Sequence, residues 1–453
     1  LYTMNHAEDR FVLVNSEFVG LYKAIEGHLT TVDKTLLLTD LPEKTADLPN
    51  LVGEYEQLLA AASPQYDFQD FDENSVATTF YTTGTTGNPK GVYFTHRQLV
   101  LHTMGVSTIM GAIDSVRLLG TSDVYMPITP MFHVHAWGLP YVATMLGLKQ
   151  VYPGRYDPEY LVELWRKEKV TFSHCVPTIL QMVLNAKAAQ NVDFGGWKIV
   201  IGGSALNRTL YEAAKAKGIQ LTAAYGMSET GPLVSCAHLN DELMAGTEDE
   251  RTTYRIKAGV PGPLVEAAIV DTEGNFLPAD GETQGELVLR APWLTEGYFN
   301  EPQKGAELWA GGWLHTGDVA TLDSMGVIDI RDRIKDVIKT GGEWISSLDL
   351  EDLISRHVAV REVAVVGIPD PQWGERPFAL LVLREGHVIG ARELKEHLKP
   401  FVELGHLSKW AIPSQIALVT EIPKTSVGKL DKKRIRVDIS EWQATNSTFL
   451  STL

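Results

Sequence analysis

The sequence predicts an α/β protein in which a large N-terminal domain of several subdomains precedes a smaller α+β domain. Across residues 157–224 helical and extended patterns alternate, which favours a largely parallel sheet with helices on its faces. Across 262–290 the pattern changes to short alternating strands around the turn Glu273-Gly274-Asn275, which indicates a small antiparallel subdomain. Beyond Arg333 strands and a helix start again, so we expect a second, smaller domain there.

Each element is predicted from the spacing of its apolar residues. The N-terminal domain should contain helices at 18–28, 97–113, 157–168, 178–189 and 208–216 and strands at 35–39, 76–80, 170–176, 198–201 and 220–224. The C-terminal domain should contain strands at 363–368, 378–383 and 415–419 and a helix at 391–398. Thr95 is a suitable N-cap for the helix that begins near Arg97.

The composition is that of a globular protein and argues against several classes. Of the 453 residues, 44% are hydrophobic and 21% are charged, and the chain is long enough for more than one domain. A net charge of −17 argues against nucleic acid as the main partner, because phosphate contacts need a basic surface. Cys175 and Cys236 are too few for a disulfide framework. With no apolar run near the roughly 18 residues that span a bilayer, we expect a cytoplasmic protein without a transmembrane segment.

The most informative stretch follows the strand at 76–80 and runs Tyr81-Thr82-Thr83-Gly84-Thr85-Thr86-Gly87-Asn88-Pro89-Lys90-Gly91. Its glycines allow tight turns whose N–H groups approach an anion, its hydroxyls can bond phosphate oxygens or a phosphate-bound Mg²⁺, and Lys90 adds a positive charge. If the loop leads into the helix near Arg97, that helix N-terminus would also face the anion. The spacing differs from the P-loop pattern. A flexible polar loop explains the composition equally well.

Small residues also gather at the ends of two strands. Gly202-Gly203-Ser204 follows the strand at 198–201, and Tyr225-Gly226 follows the strand that ends at Ala224. Ligands of open α/β sheets bind at the carboxyl ends of the strands. These two corners would leave room for a flat nucleobase, with the Tyr225 ring as a stacking surface.

The stretch 81–91 resembles the phosphate loop of the adenylate-forming superfamily, which includes acyl-CoA synthetases, firefly-type luciferases and the adenylation domains of peptide synthetases. Four further segments resemble motifs of this superfamily and follow in its order. They are Tyr225-Gly226-Met227-Ser228-Glu229-Thr230, Gly312-Trp313-Leu314-His315-Thr316-Gly317-Asp318, Arg331-Asp332-Arg333-Ile334-Lys335-Asp336 and Pro423-Lys424-Thr425-Ser426-Val427-Gly428-Lys429. By these five ordered matches the chain is identified as a member, and the fatty-acid CoA ligases are the most similar branch.

The resemblance implies a two-step reaction in which a carboxylic acid and ATP form an acyl-adenylate, which CoA then converts to a thioester. The implied ATP- and AMP-binding residues are Thr82, Thr83, Gly84, Thr85, Thr86, Gly87, Lys90, Gly203, Ser204, Ala224, Tyr225, Gly226, Met227, Ser228, Asp318, Arg333 and Lys429. Of these, Asp318 would accept hydrogen bonds from the ribose. The implied catalytic residues are Lys429, His133, Thr86 and Glu229, with Thr86 and Glu229 holding Mg²⁺, a cation that prefers oxygen ligands.

The acyl pocket implied by the resemblance is formed by His133, Trp137, Gly202 and Gly226. A lone histidine on an apolar face is more often a core residue, and His133 is assigned here only because of the resemblance. His135 is expected to be structural or exposed. Trp137 would close the mouth of the pocket, and simple core packing explains it at least as well.

For the second step, the resemblance implies that the C-terminal domain rotates, because Lys429 would obstruct the thiol. Lys335 matches the hinge, and Gly341, Gly342 and Trp344 fall where relatives bind CoA. Trp344 replaces the Arg or smaller aromatic of many relatives, a difference shared by fatty-acid ligases with Gly-Glu-Trp-Ile-Ser. We therefore expect an AMP-binding domain at 1–332, a hinge at 333–335 and a mobile C-terminal domain at 336–453.

A basic cluster lies near the end of an otherwise acidic chain. It consists of Lys424, Lys429, Lys432, Lys433, Arg434 and Arg436. Such runs are usually solvated surfaces, and the match around Gly428-Lys429 favours a functional role here.

Other activities are weighed by single residues. An amino-acid adenylation domain should carry a carboxylate for the substrate ammonium, and the segment 131–140 has none. A nucleotide-binding regulator without activity would be expected to lack Lys429 or Glu229, and both are present. A luciferase-like oxygenase and carrier-protein loading stay open. We expect a medium-chain fatty acid as substrate, with short-chain or thioether acids such as 3-(methylthio)propionate, and long-chain fatty acids, as alternatives.

The first residues, from Leu1 to Asp9, resemble a segment inside the first domain of related ligases. We therefore expect a native N-terminal portion to precede them. Any contacts that such a portion makes between subunits lie outside this sequence, and a homodimer is left open.

Overall fold

The computed structural model describes residues 1–41, 47–82, 88–112, 118–341, 343–413, 415–425, 428–444 and 450–452. Its helices are α1 (Tyr2–His6), α2 (Val19–Ile25), α3 (Tyr55–Ala61), α4 (His96–Gly111), α5 (Val134–Trp137), α6 (Leu139–Met145), α7 (Pro158–Glu168), α8 (Pro177–Asn185), α9 (Arg208–Ala216), α10 (Asp241–Ala245), α11 (Glu248–Arg255), α12 (Pro302–Leu308), α13 (Ser347–Ser355), α14 (Ala391–Glu403) and α15 (Lys432–Ala444). The strands are β1 (Phe11–Asn15), β2 (Lys34–Leu38), β3 (Leu51–Glu54), β4 (Val76–Thr82), β5 (Lys90–Thr95), β6 (Val124–Pro127), β7 (Lys149–Gln150), β8 (Phe172–Cys175), β9 (Lys198–Ile201), β10 (Gln220–Gly226), β11 (Leu233–Cys236), β12 (Val260–Pro261), β13 (Glu266–Val270), β14 (Gly285–Arg290), β15 (Leu314–Leu322), β16 (Ile328–Arg333), β17 (Ile338–Thr340), β18 (Glu343–Ile345), β19 (Val360–Asp370), β20 (Gly374–Leu383), β21 (Gln415–Leu418) and β22 (Leu450–Thr452).

The chain divides into two compact units, which we describe separately. Unit 1 consists of Leu1–Gln98 and Thr295–Glu307, and unit 2 consists of Leu99–Leu294 and Leu308–Leu453. This division does not follow the domain limits expected from the sequence, and the hinge at 333–335 stays a prediction. The predicted α/β class, with several sheets, is confirmed.

Unit 1 contains a parallel sheet and a hairpin. Strands β1, β2 and β3 form the parallel sheet, and β4 pairs antiparallel with β5. The hairpin register sets Thr82 opposite Lys90, so the two flanks of the stretch 83–87 are cross-strand neighbours.

The expectation that the phosphate loop leads directly into a helix is wrong. Strand β5 intervenes, and helix α4 begins only at His96. Six residues of strand cover about 20 Å, so the α4 N-terminus lies at the opposite end of β5 from Lys90. Thr95 does cap the helix, since its Oγ1 accepts from the Gln98 N–H at 3.2 Å while Gln98 Oε1 accepts from the Thr95 N–H at 2.8 Å.

Unit 2 is organised around a seven-stranded sheet in the order β12-β11-β10-β9-β8-β6-β7. Strands β10, β9, β8, β6 and β7 are parallel, and β11 and β12 add an antiparallel edge. The predicted strands correspond to β8, β9 and β10, whereas β6 and β7 were not predicted. On β9, Ile199 and Ile201 pack into one apolar cluster while Val200 packs into another. Because neighbouring strand residues point to opposite faces, the sheet is buried between two cores.

Two further sheets complete unit 2. Strands β13, β14, β15 and β16 form an antiparallel sheet, of which only β13 and β14 lie in the range 262–290 predicted for it. The C-terminal sheet has the order β18-β17-β20-β21-β22, with β19 also paired to β20. On β19, Val365 faces the cluster under α13 and α14, whereas Val366 faces the cluster that contains Ile435 of α15. Within the part of the chain that the structure describes, no helix has the length and apolar character required to cross a membrane.

Candidate active site

Asp318 and Arg333 face each other at the end of the antiparallel sheet of unit 2. They are register partners on β15 and β16, so their side chains leave adjacent strands at neighbouring points. Arg333 Nε lies 3.3 Å from Asp318 Oδ1, and the Tyr225 hydroxyl donates to Asp318 Oδ2 at 2.6 Å. The structure therefore brings together side chains from three predicted motif residues.

In this group the Asp318 carboxylate is buried, whereas the Arg333 side chain is about half exposed. The Asp318 side chain is 7% exposed, whereas that of Arg333 is 52% exposed. Burial raises the pKa of the Asp318 carboxyl, and the Arg333 charge and the Tyr225 hydrogen bond oppose that rise. Burial, followed by the Asp318 charge, raises the pKa of the Tyr225 hydroxyl well above its usual value, so this hydroxyl is a donor at neutral pH.

Lys429 extends into the same region, beside Gly203. A Cβ placed on Gly203 would lie 3.1 Å from Lys429 Cε and 3.6 Å from Nζ. Burial, reinforced by the Arg333 charge, lowers the pKa of the Lys429 ammonium to about 8, while the Asp318 and Glu229 charges oppose that shift. The lysine is thus close enough to these three charged groups for their charges to affect its pKa.

Glu229 is presented by a short 3₁₀ turn, Ser228–Thr230, that follows β10. The turn is fixed by the Met227 N–H, which donates to Thr230 Oγ1 at 2.9 Å. Glu229 is buried. Gly226 lies against β11 so closely that a Cβ there would stand 1.9 Å from the Pro232 carbonyl oxygen. Gly226 is therefore required by packing, whatever it contributes to substrate binding.

The residues predicted around the adenine occupy the ends of β9 and β10. Ala224 lies near the end of β10, and its carbonyl oxygen would stand 3.0 Å from a Cβ on Gly202. Ser204 is exposed beside Gly203. The two small-residue corners are thus adjacent, as the parallel strand order requires.

His133 precedes a left-handed backbone turn. Val134, His135, Ala136 and Trp137 all have positive φ, between 48° and 62°, and Gly138 has φ 70°. A left-handed turn of non-glycine residues costs roughly 1–2 kcal/mol for each residue, so the surrounding packing must hold it. Burial, followed by repulsion from the Lys429 charge, lowers the pKa of His133 to about 4, which keeps its imidazole neutral.

Trp137 is packed in the protein core. It is 4% exposed and belongs to the apolar cluster on one face of the parallel sheet. Its ring lies 5.0 Å from the His174 ring between centroids, and its Cη2 would stand 3.3 Å from a Cβ on Gly202. These contacts fit the core interpretation and leave the pocket interpretation untested.

The structure describes only the two flanks of the phosphate stretch 81–91. Thr83, Gly84, Thr85, Thr86 and Gly87 lie outside the described residues. In unit 1, the Lys90 Nζ lies 4.4 Å from the centroid of the Tyr298 ring. Thr82 and Lys90, on either side of this stretch, pair across the hairpin of β4 and β5.

The predicted hinge and CoA residues are near the hairpin β17–β18. Gly341 donates its N–H to the Trp373 carbonyl at 3.0 Å and has φ 57°. Trp344 is 44% exposed, with Lys339 Nζ 5.4 Å from its ring centroid. Lys335 is exposed overall, and partial desolvation of its amine, followed by the Arg333 charge, lowers its pKa. Gly342 lies outside the described residues.

Most of the basic cluster is engaged in ion pairs, so a shared functional role is not supported. The pairs are Lys424–Glu362 at 2.8 Å, Lys432–Glu351 at 2.9 Å, Arg434–Asp438 at 2.7 Å and Arg436–Asp336 at 2.8 Å. All four partners lie within residues 336–438. Lys429 differs from these four in lying beside Gly203, where the Arg333, Asp318 and Glu229 charges affect its pKa.

His102 of α4 is a residue that the sequence analysis missed. Its Nε2 accepts from the Leu233 N–H at 3.2 Å. A Cβ on Gly138 would lie 2.9 Å from its ring, and a Cβ on Gly231 would lie 3.1 Å from it. Burial lowers the pKa of His102 to about 3. The neutral His102 imidazole therefore packs against both the end of the left-handed turn and the segment after Glu229. The sequence gave no sign of this role, because a single histidine in a helix forms no recognisable pattern.

Comparisons with known proteins identify the family. The model of the AMP-binding enzyme family matches residues 1–299, and that of the AMP-binding enzyme C-terminal domain matches 349–429. A long-chain-fatty-acid–CoA ligase of Thermus thermophilus is 40% identical over 443 residues, covering 96% of this chain and 77% of that protein. A 3-methylmercaptopropionyl-CoA ligase of Ruegeria pomeroyi is 38% identical over 439 residues, covering 96% and 79%. The structure of anthranilate CoA ligase AuaEII with anthranoyl-AMP has TM-score 0.84 at 23% identity, covering 98% of this chain and 80% of that one.

The fold and the motif residues thus define an adenylate-forming enzyme of the acyl-CoA synthetase class. The chain belongs to the AMP-binding enzyme family. The predictions of the superfamily and of an AMP-forming acid–CoA ligase are confirmed at the level of the class. The acid and the role of each residue stay predictions.

Proposed function

We propose that this ligase activates a medium-chain fatty acid with ATP and transfers the acyl group to CoA. The relatives above are named for a long-chain fatty acid and for a short thioether acid, and a medium chain lies between these two in length. If Trp137 bounds the acyl pocket, as the resemblance implies, its ring would present an apolar surface to a hydrocarbon tail.

The observation that carries the proposal is the position of Lys429 beside Gly203, within the electrostatic reach of Asp318, Arg333 and Glu229. In the first half-reaction, one carboxylate oxygen forms a bond to the α-phosphorus, and the bond from that phosphorus to the bridging oxygen breaks. Pyrophosphate leaves with the electron pair. Lys429 would stabilise the charge where the two anions meet, because a preorganised cation acts strongly in a partly dry site. The neutral His133 would adjoin the acyl group.

The remaining nucleotide contacts are proposed from the motif residues. Asp318 would accept from the ribose hydroxyls, with Arg333 beside it, and the nucleobase would lie against Tyr225. The residues 82–90 would hold the β- and γ-phosphates through hydroxyls, backbone N–H groups and the Lys90 charge.

We also propose Mg²⁺ at Glu229 and Thr86. Among the described residues, no three His, Cys, Asp or Glu side chains are grouped to hold a metal. That fits Mg²⁺ at a nucleotide, which is usually bound by one or two carboxylates together with phosphate oxygens, and the buried Glu229 supplies one carboxylate. When bound, the cation would neutralise charge on the phosphates. Thr86 lies outside the described residues, so its part rests on the motif alone.

In the second half-reaction, the CoA sulfur forms a bond to the acyl carbon, the bond from that carbon to AMP breaks, and the thiol proton is released. Lys429 would have to withdraw first, through rotation of the C-terminal residues about Lys335. Gly341, Gly342 and Trp344 would line the path of the pantetheine chain.

A screen of pyrophosphate exchange tests the proposal. Straight-chain acids of increasing length, branched acids, thioether acids and aryl acids are each supplied with ATP and labelled pyrophosphate. Maximal exchange with medium-chain acids, followed by formation of AMP and acyl-CoA when CoA is added, is the expected result. Release of ADP and phosphate would contradict the adenylate route, and an optimum with another acid would correct the substrate only.

The metal assignment has its own test. Glu229→Gln keeps the shape of the side chain and removes its charge, so we expect a higher Mg²⁺ requirement for pyrophosphate exchange with an unchanged melting temperature. Near-normal exchange at limiting Mg²⁺ would exclude Glu229 from the metal site.

We further propose a cytoplasmic location, which the two free, buried cysteines suit. A homodimer stays a prediction that light scattering of the purified protein would test.

A further inference from the structure

The segment that ends in Lys429 is tied to helix α8 by one hydrogen bond. The Thr178 hydroxyl donates to the Gly428 carbonyl oxygen at 2.8 Å, although the two residues are 250 positions apart. Thr178 is half-buried in the first turn of α8. The contact thus joins the parallel-sheet region of unit 2 to the segment that carries the site lysine.

The two surfaces fit closely at this point. Gly428 has φ 80°, and a Cβ there would stand 2.9 Å from Thr178 Oγ1 and 3.5 Å from a Val176 methyl group. Another Val176 methyl group would lie 3.2 Å from a Cβ on Gly203. Gly428 therefore packs against Val176 and Thr178. Lys429 lies along Gly203, which is also next to Val176.

Thr425, Gly428 and Lys429 are joined to one another by hydrogen bonds. The Gly428 N–H donates to the Thr425 carbonyl at 2.9 Å, and the Lys429 N–H donates to Thr425 Oγ1 at 3.2 Å. The Thr425 N–H donates in return to the Lys429 carbonyl at 2.8 Å. Since the turn is internally tied, the bond from Thr178 fixes the position of the Lys429 backbone as well as that of Gly428.

We infer that Thr178 is a positioning residue that holds Lys429 in place for adenylation and has to release it before thioester formation. The inference rests on the proposed two-step function. Lys429 is useful where the carboxylate meets the α-phosphate and obstructs the thiol afterwards, so the Thr178–Gly428 bond serves one half-reaction only. A hydrogen bond that is present during adenylation and broken before thioester formation should affect the rate of adenylation only.

Thr178→Val tests this with little change of shape, because valine replaces the hydroxyl by a methyl group. Adenylation, measured as kcat/KM for pyrophosphate exchange, should fall about 2- to 10-fold, the factor that one ordinary hydrogen bond corresponds to. Thioester formation from supplied acyl-adenylate and CoA should stay within about 2-fold of the wild type. Thr178→Ser keeps the donor and should restore adenylation.

Thr144→Val is a matched control. The Thr144 hydroxyl also donates to a backbone carbonyl at 2.8 Å, that of Pro140 within α6. Its loss should leave both half-reactions unchanged. Melting temperatures of the Thr178 and Thr144 variants separate a local effect from partial unfolding.

Amide hydrogen exchange in the ligand-free full chain provides a measurement that needs no catalysis. Peptides covering residues 423–431 should exchange faster in Thr178→Val and return to the wild-type rate in Thr178→Ser. Equal loss in both half-reactions, or wild-type adenylation with wild-type exchange in Thr178→Val, would overturn the inference. If the wild type shows no pyrophosphate exchange with any acid, the proposed function fails, and the amide exchange still decides whether Thr178 holds the segment.

Discussion

The Cε atom of Lys429 lies 3.1 Å from the point that a Cβ of Gly203 would occupy. Gly203 follows strand β9, whereas Lys429 belongs to the C-terminal residues, so the absence of a side chain at one position makes room for the lysine of a distant segment. Gly203 also has φ 79°, a value that glycine adopts without strain. Two separate requirements thus select glycine here.

Gly203→Ala should impair adenylation, because the new methyl group would displace Lys429. We expect a roughly 10- to 100-fold loss in pyrophosphate exchange, since small displacements of reacting groups have effects of that order. Gly196→Ala is the matched control: Gly196 has φ 85° and no heavy atom within 4 Å of its Cβ position. Both variants should lose about 1–2 kcal/mol of stability, because alanine is strained at these positive φ values. Equal rates of pyrophosphate exchange in the two variants would contradict the contact.

The charge of Lys429 should matter for adenylation only. Lys429→Ala should lower pyrophosphate exchange by about 10²–10³-fold or more, the effect of removing one preorganised charge-stabilising group. Thioester formation from supplied acyl-adenylate should be nearly unchanged. The measurement is a pair of half-reaction assays on the folded variant.

Lys335→Pro should have the opposite effect on the two half-reactions. Proline fixes φ and would restrict rotation at the predicted hinge after the adenylate has formed, so thioester formation should slow while adenylation continues. Loss of both half-reactions to the same extent in Lys335→Pro and in Lys429→Ala, with folding intact, would refute the rotating-domain mechanism for this protein.

The pH dependence of adenylation should report the lowered pKa of Lys429. The lysine is useful when protonated, so kcat/KM for adenylation, which reflects the free enzyme, should fall as the pH rises through about 8. Bound anionic substrates favour the ammonium, and the fall in kcat should therefore occur at higher pH. Lys429→Arg should remove this dependence between pH 8 and 10, since arginine stays charged. An unchanged profile would assign the titration to another group.

Trp137 should influence the choice of acid more than the affinity for ATP. Trp137→Phe retains an aromatic ring with less volume and should shift the optimum towards longer or bulkier acids in the exchange screen. Trp137→Ala should add a stability loss of about 3–5 kcal/mol, as expected for a buried aromatic residue. An unchanged acid profile with lost stability would return Trp137 to a purely structural role.

The alternating patterns located the parallel strands β2, β8, β9 and β10, because burial on both faces leaves a local record in the sequence. They missed β1, β3, β6 and β7, which are short. Strand β9 and helix α9 have the predicted limits. Strand β5 was missed because the run 90–95 is short and follows Gly and Thr residues that suggested only a loop.

What the sequence determined by itself is the class of enzyme, since five motifs in order specify the chemistry without coordinates, together with the α/β architecture. Tertiary structure alone decided which of these residues meet: Tyr225 with Asp318, Lys429 with Gly203, Thr178 with Gly428. It also assigned four basic residues near Lys429 to ion pairs and revealed a left-handed turn at Val134–Trp137. Periodicity records which face of an element is buried, whereas a pair of distant side chains depends on strand order, register and the path of intervening loops, which local patterns do not encode.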